Sequence, residues 1–182
     1  FCPAVVDSLK LCLAFHCLCE SYEKAPQSGR ELFVSLDDMS QMIEEILRRG
    51  YRFTPLGDPS PKTVTITFDD GYYNNLLFRE LAQRYGIPYL VLVSSYYAQS
   101  GQAYPWLEVD GASYEGMHDF DYYEHFAHDE DDSSREVSPA SGDQRPMDYD
   151  DLKKMLGDGL SDIGCHGYYH QPLSKKYQER IQ

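Results

Sequence analysis

The sequence predicts an α/β protein with parallel strands, arranged either as a barrel or as an open sheet, and three observations lead there. Short apolar runs rich in β-branched residues alternate with amphipathic stretches of helical period. Each helical stretch carries its own start and stop signals. The length of 182 residues, 42% of them hydrophobic, suits one sizeable core and a single domain over 1–182.

Taken in order, Leu9 to Leu18 reads as a buried strand, followed by a polar loop from Glu20 to Arg30. A helix comes next. Ser35 caps it, Asp38 complements its positive end, Met39, Met42, Ile43, Ile46 and Leu47 recur at helical spacing, and Gly50 stops it. Val64 to Phe68 is a strand ending at Asp69-Asp70-Gly71. Leu77, Leu81 and Tyr85 form one stripe of a second helix, which Gly86 and Pro88 end, and Tyr89 to Val93 is the third strand. From Tyr96 to Arg145 no period is sustained, as in a functional loop or an insertion. Regularity returns with a short helix over Asp148 to Leu156, a short strand over Leu160 to Gly164 and a loop from His166 to Leu173.

The net charge of −14 argues against nucleic acid as a partner, because neutralising phosphates requires clustered Lys and Arg. The charge is concentrated. Between Asp110 and Asp150, thirteen acidic residues against Arg135 and Arg145 account for eleven of the fourteen excess negative charges, so about 110–150 reads as a solvated acidic insertion. No apolar run approaches the roughly 20 residues of a membrane-spanning helix. Five cysteines, with Cys12, Cys17 and Cys19 crowded together, do not form a disulfide framework and read as buried free thiols rather than a zinc site. Phe1 at the start, and a helix-like Lys175 to Arg180 at the end, read as cut termini.

Two motifs carry chemistry. Asp69-Asp70-Gly71 closes a strand, and neighbouring carboxylates can serve one pocket only where the chain leaves the sheet, a departure that Gly71 permits. On its own the motif reads first as a turn whose Asp side chains cap the next helix. His166 and His170 share a face in either a helix or a strand and can reach one metal, or form a solvated pair. His118, His125 and His128 read as solvated residues of the acidic insertion. Taken together, two imidazoles and one carboxylate leave open positions for a water, and a second carboxylate alongside can take its proton.

Thr67-Phe68-Asp69-Asp70-Gly71 resembles the TFDDG motif of the polysaccharide deacetylases, carbohydrate esterase family 4, and His166 to His170 resembles their H-S/T-x-x-H motif. Phe33-Val34-Ser35, Arg49-Gly50-Tyr51, Gly86-Ile87-Pro88 and Asp162-Ile163-Gly164 agree with that context, so the likeness runs from Leu11 to Leu173. The resemblance implies a distorted (β/α) barrel, incomplete at the C-terminus, and hydrolysis of N-acetyl groups on an amino-sugar polysaccharide. It further implies Asp69 as the base acting on metal-bound water, Asp70, His166 and His170 as ligands of one divalent metal, usually zinc, and a secreted or extracytoplasmic location.

Leu13-Ala14-Phe15-His16-Cys17-Leu18 resembles the N-terminal M/L-x-Y/F-H-x-V/L motif of circularly permuted deacetylases acting on poly-N-acetylglucosamine. That implies His16 as the acid for the departing amine. A structural histidine bonded to a neighbouring carbonyl is the other reading. The sequence departs from the family pattern at Gly167, where Ser or Thr is usual, and at Gln171-Pro172, and the Arg/Pro and Asp-Trp motifs are not found after His170. Other functions remain open at this point. They are a weakly active or inactive glycan-binding module, a two-carboxylate glycosidase, and a non-haem iron oxygenase, whose usual scaffold lacks this βα alternation.

Overall fold

The computed structural model describes residues 9–25, 30–104, 142–168 and 170. Its strands are β1 (Lys10–Phe15), β2 (Cys17–Cys19), β3 (Phe33–Ser35), β4 (Arg52–Phe53), β5 (Thr63–Phe68), β6 (Tyr89–Val93) and β7 (Ser161–Cys165). Its helices are α1 (Leu36–Arg48), α2 (Phe78–Tyr85), α3 (Ser95–Ser100) and α4 (Tyr149–Leu156). Every pairing between these strands is parallel, in the order β1-β5-β6-β7 with β4 against the start of β5, while β2 and β3 pair separately. This is the α/β class that the sequence predicts.

Strand β5 is the spine. All six of its residues are buried, as expected of a parallel strand covered on both faces. Phe68 meets Phe78 of α2 at 5.1 Å between ring centroids, and Phe78 meets Tyr89 of β6 edge-on at 5.0 Å. Met39 and Ile43 of α1 lie fully buried in the same core, each such side chain contributing about 1.5–3 kcal/mol. The helix limits follow the local chemistry. The Asp38 amide donates to Ser35 Oγ at 3.1 Å, Gly86 ends α2 in the left-handed region, and Asp148 and Asp151 form a reciprocal capping box on α4. No helix among the described residues is long and apolar enough to cross a membrane.

The single buried strand expected over Leu9 to Leu18 is instead two strands broken at His16. Only Cys17, Leu18 and Cys19 are buried, whereas Leu9, Leu11 and Cys12 are exposed, which corrects the expectation of a buried Cys12 thiol. An apolar run identifies surface that favours burial but not which element covers it. The stretch expected to be aperiodic from Tyr96 onward begins inside a helix, Ser95–Ser100. The second helix begins as a 3-10 turn over Tyr73–Leu77. The acidic insertion lies outside the described residues up to 141, as do His118, His125 and His128.

The register aligns the strand ends. Phe15 pairs with Phe68, Phe68 with Val91, and Val93 with Cys165. His16, Asp69, Ser94 and His166, each the residue after its strand, therefore emerge at one end of the sheet.

Candidate metal centre

At that end the chain turns abruptly out of β5. The Asp69 amide donates to the Phe15 carbonyl at 2.7 Å, extending the β1 pairing by one residue. Asp70 then adopts φ 72° and Gly71 φ 82°. Left-handed backbone is strained for most side chains but tolerated by Asp and free of penalty for Gly. A Cβ on Gly71 would stand 3.1 Å from Val93 Cγ2, so close approach to β6 also requires glycine. The turn swings the Asp70 carboxylate inward, where the residue is 2% exposed.

Asp70 is held by its main chain. Its carbonyl accepts hydrogen bonds from the Tyr104 hydroxyl at 2.5 Å and the Ser94 amide at 3.5 Å. Ser94, itself buried, donates through Oγ to the His166 carbonyl at 3.4 Å, and the His166 amide donates to Val93 at 2.9 Å. The returning chain closes the other side. Met147 donates to the Gly71 carbonyl at 2.8 Å and Tyr73 to the Arg145 carbonyl at 2.8 Å, while the Arg145 guanidinium lies 4.0 Å over the Tyr73 ring.

These constraints bring three side chains together. His170 Nε2 lies 3.0 Å and His166 Nε2 3.5 Å from Asp70 Oδ1, and the imidazole centroids are 4.9 Å apart. One donor atom from each residue falls within 4.8 Å of the others, and among the described residues no other His, Cys, Asp and Glu group has this geometry. Asp70 Oδ1 is buried and receives no hydrogen bond among the described residues. A buried carboxyl oxygen facing two imidazole nitrogens is the chemistry of a cation site. The donor set fits a divalent metal.

Asp69 immediately precedes Asp70 in the chain, and its Oδ1 is likewise buried without a hydrogen-bond donor among the described residues. His16 follows β1 at the same end of the sheet and is half-buried. Gly167, where the family has Ser or Thr, adopts φ 84°, a conformation that glycine supplies freely. Among the described residues no thiol joins the cluster. Burial pushes the Cys17 thiol up, the Asp70 and Cys19 charges add to that, and a contact with Asn74 only partly offsets it, so Cys17 stays a neutral thiol. Burial and the Asp70 charge push the Tyr104 hydroxyl up in the same way, keeping it a donor.

Sequence reasoning missed Ser94, Tyr104, Asn74 and Asn75, all buried around the centre. Serine, tyrosine and asparagine are common residue types. Only the Asn74-Asn75 pair just after Gly71 offered a local signal.

Two imidazoles and a carboxylate thus gather where parallel strands of the sheet end, the place where α/β folds put their sites, with a second carboxylate next in sequence. Residues 56–182 match the Polysaccharide deacetylase family, and the chain belongs to that family. Its fold is similar to a de-N-acetylase from Aggregatibacter actinomycetemcomitans, with TM-score 0.58 and 16% identity, covering 86% of this chain and 54% of that one. It is also similar to BC0361, a polysaccharide deacetylase from Bacillus cereus, with TM-score 0.54 and 17% identity, covering 93% of this chain and 43% of that one. The chain thus spans about half the length of these proteins. No curated protein matches the sequence at a significant level.

Proposed function

We propose that this chain hydrolyses N-acetyl groups from an amino-sugar polysaccharide, using one divalent metal held by Asp70, His166 and His170. The convergence of those three donors, with Asp69 next to Asp70 in the chain, carries the proposal. Zinc is the ion this mixed nitrogen and oxygen set favours. When bound, such a cation polarises an amide carbonyl and lowers the pKa of water.

The remaining work falls to the protein's own groups. Asp69 accepts a proton from the attacking water as its oxygen bonds to the acetyl carbon. His16 donates a proton to the amide nitrogen as the carbon–nitrogen bond breaks, leaving acetate and a free amine. Asp70 is oriented by its clamped backbone, and the imidazoles of His166 and His170 each keep part of their surface in solvent.

The test is acetate release from N-acetylglucosamine oligomers by the 182-residue chain, with zinc, with chelator, and after zinc is restored. Activity that chelator abolishes and zinc restores supports the proposal. Glycosidic cleavage that proceeds fully in chelator would overturn it in favour of a two-carboxylate glycosidase.

A further inference from the structure

The segment between the two histidines is clamped onto α3. The Ser95 amide donates to the Gly167 carbonyl at 3.2 Å and the Tyr96 amide to the Tyr168 carbonyl at 3.0 Å. Tyr168 nevertheless leaves half its surface in solvent, at 51% exposure. Its ring packs edge-on against Tyr96, with centroids 5.7 Å apart and planes inclined by 66°.

Tyr96 is fixed in turn. Its hydroxyl donates to Gln102 Oε1 at 2.8 Å and its ring meets Tyr97 at 5.3 Å. Tyr97 packs on Tyr104 at 4.4 Å, and Tyr104 bonds the Asp70 carbonyl. A continuous run of packed rings therefore links the exposed Tyr168 to the backbone of Asp70. An aromatic side chain held rigid yet half in water offers contact area that binding need not first order. Tyr168 is two residues from His166 and two from His170, so its Cα is within about 7 Å of each histidine Cα. Tyr168 therefore belongs to the short loop that carries both imidazoles.

We propose that Tyr168, backed by Tyr96, is a stacking platform for a pyranose ring adjoining the sugar whose acetyl group is cleaved, an inference that rests on the deacetylase reading above. The axial C–H groups of a pyranose make one face apolar, and that face lies flat on an aromatic ring while the hydroxyls stay hydrated. The platform therefore selects oligomers over single sugars. It adds affinity without entering the proton transfers.

The experiment uses the zinc-loaded chain as wild type, Tyr168→Ala, Tyr168→Phe and Tyr168→Ser. Binding of N-acetylglucosamine and its tetramer is titrated calorimetrically, alongside acetate release and zinc content. Replacement by Ala or Ser weakens tetramer binding about tenfold, the scale of one well-placed aromatic contact. KM for the tetramer rises in step, kcat changes less than twofold, the monomer is bound as before, zinc stays stoichiometric, and Phe restores wild-type behaviour. Unchanged tetramer affinity in both variants, equal weakening of monomer and tetramer, or loss of zinc would overturn the platform. If the wild type deacetylates and Tyr168→Ala matches it, only the platform falls. A wild type that neither binds the tetramer nor releases acetate defeats the deacetylase reading as well.

Discussion

The side-chain amide of Asn75 donates to the main-chain carbonyl of His16 at 2.7 Å, across 59 positions of sequence. Next to it, Asn74 Oδ1 accepts from the Leu18 amide at 3.0 Å, and both asparagines are buried. The turn that follows Asp69-Asp70-Gly71 thus grips the chain on either side of Cys17 and sets where His16 leaves β1. Asn75→Ala should lower the unfolding free energy by about 1–3 kcal/mol, because the part-buried His16 carbonyl loses its donor. Asn75→Asp should cost more, since it buries a carboxylate whose oxygen faces the His16 carbonyl oxygen, acceptor against acceptor. Both should reduce acetate release, and His16→Ala should retain zinc while losing the limb of the pH–rate profile that reports the acid. Wild-type unfolding and turnover in Asn75→Ala would mean that the contact positions nothing.

Asp69 and the two histidines should separate by readout. Asp69→Asn is expected to keep stoichiometric zinc and to lose at least about 100-fold in turnover, as for removal of a general base. The double variant His166→Ala, His170→Ala should lose stoichiometric zinc. Elemental analysis beside an acetate assay decides both points, and full zinc in the double variant would refute the assigned ligands.

Gly71 has two reasons to be glycine, a positive φ and the 3.1 Å approach to Val93. Gly71→Ala should destabilise by about 1–2 kcal/mol from backbone strain alone, and more if Val93 cannot yield. It should also weaken zinc binding by displacing Asp70. Gly57, also at positive φ but with nothing near its would-be Cβ, is the control. Gly57→Ala should show strain in denaturant unfolding and no change in zinc affinity. Equal effects on zinc would remove the link between turn and site.

Asp158 predicts how the fold responds to acid. Burial pushes its carboxyl up, but donors outweigh this and hold it below the usual carboxylate range: the Leu160 and Ser161 amides, and the Tyr89 and Ser161 hydroxyls. A carboxyl depressed in the folded state stabilises it above the unfolded pKa near 3.8, and that contribution is lost as pH falls through the lower folded value. Asp158→Asn should therefore reduce stability at neutral pH by about 1.5–3 kcal/mol and flatten the loss of stability below pH of about 4. Parallel unfolding curves for variant and wild type down to pH of about 2 would refute it.

Much of this was local and therefore legible. Ser35 and Asp38 at one helix start, Gly86 at another helix end and the β-branched run into Asp69 each act within a few residues, so spacing and residue type suffice to place α1, the end of α2 and β5. The paired motifs Asp69-Asp70-Gly71 and His166 to His170 were visible for the same reason, since metal-binding side chains have few substitutes.

What the sequence by itself determined was the alternation of strands and helices, and which side chains could bind a metal. Tertiary structure decided the rest. The break of the first strand at His16, the exposure of Leu11 and Cys12, and the convergence of Asp70 with histidines about a hundred positions later all depend on parallel register between distant strands. Burial of Asn74, Asn75, Ser94 and Tyr104 depends on it too. Hydropathy records what favours leaving water, while the partner that covers it, and the polar groups that must then be satisfied, are set by contacts between segments far apart in the chain.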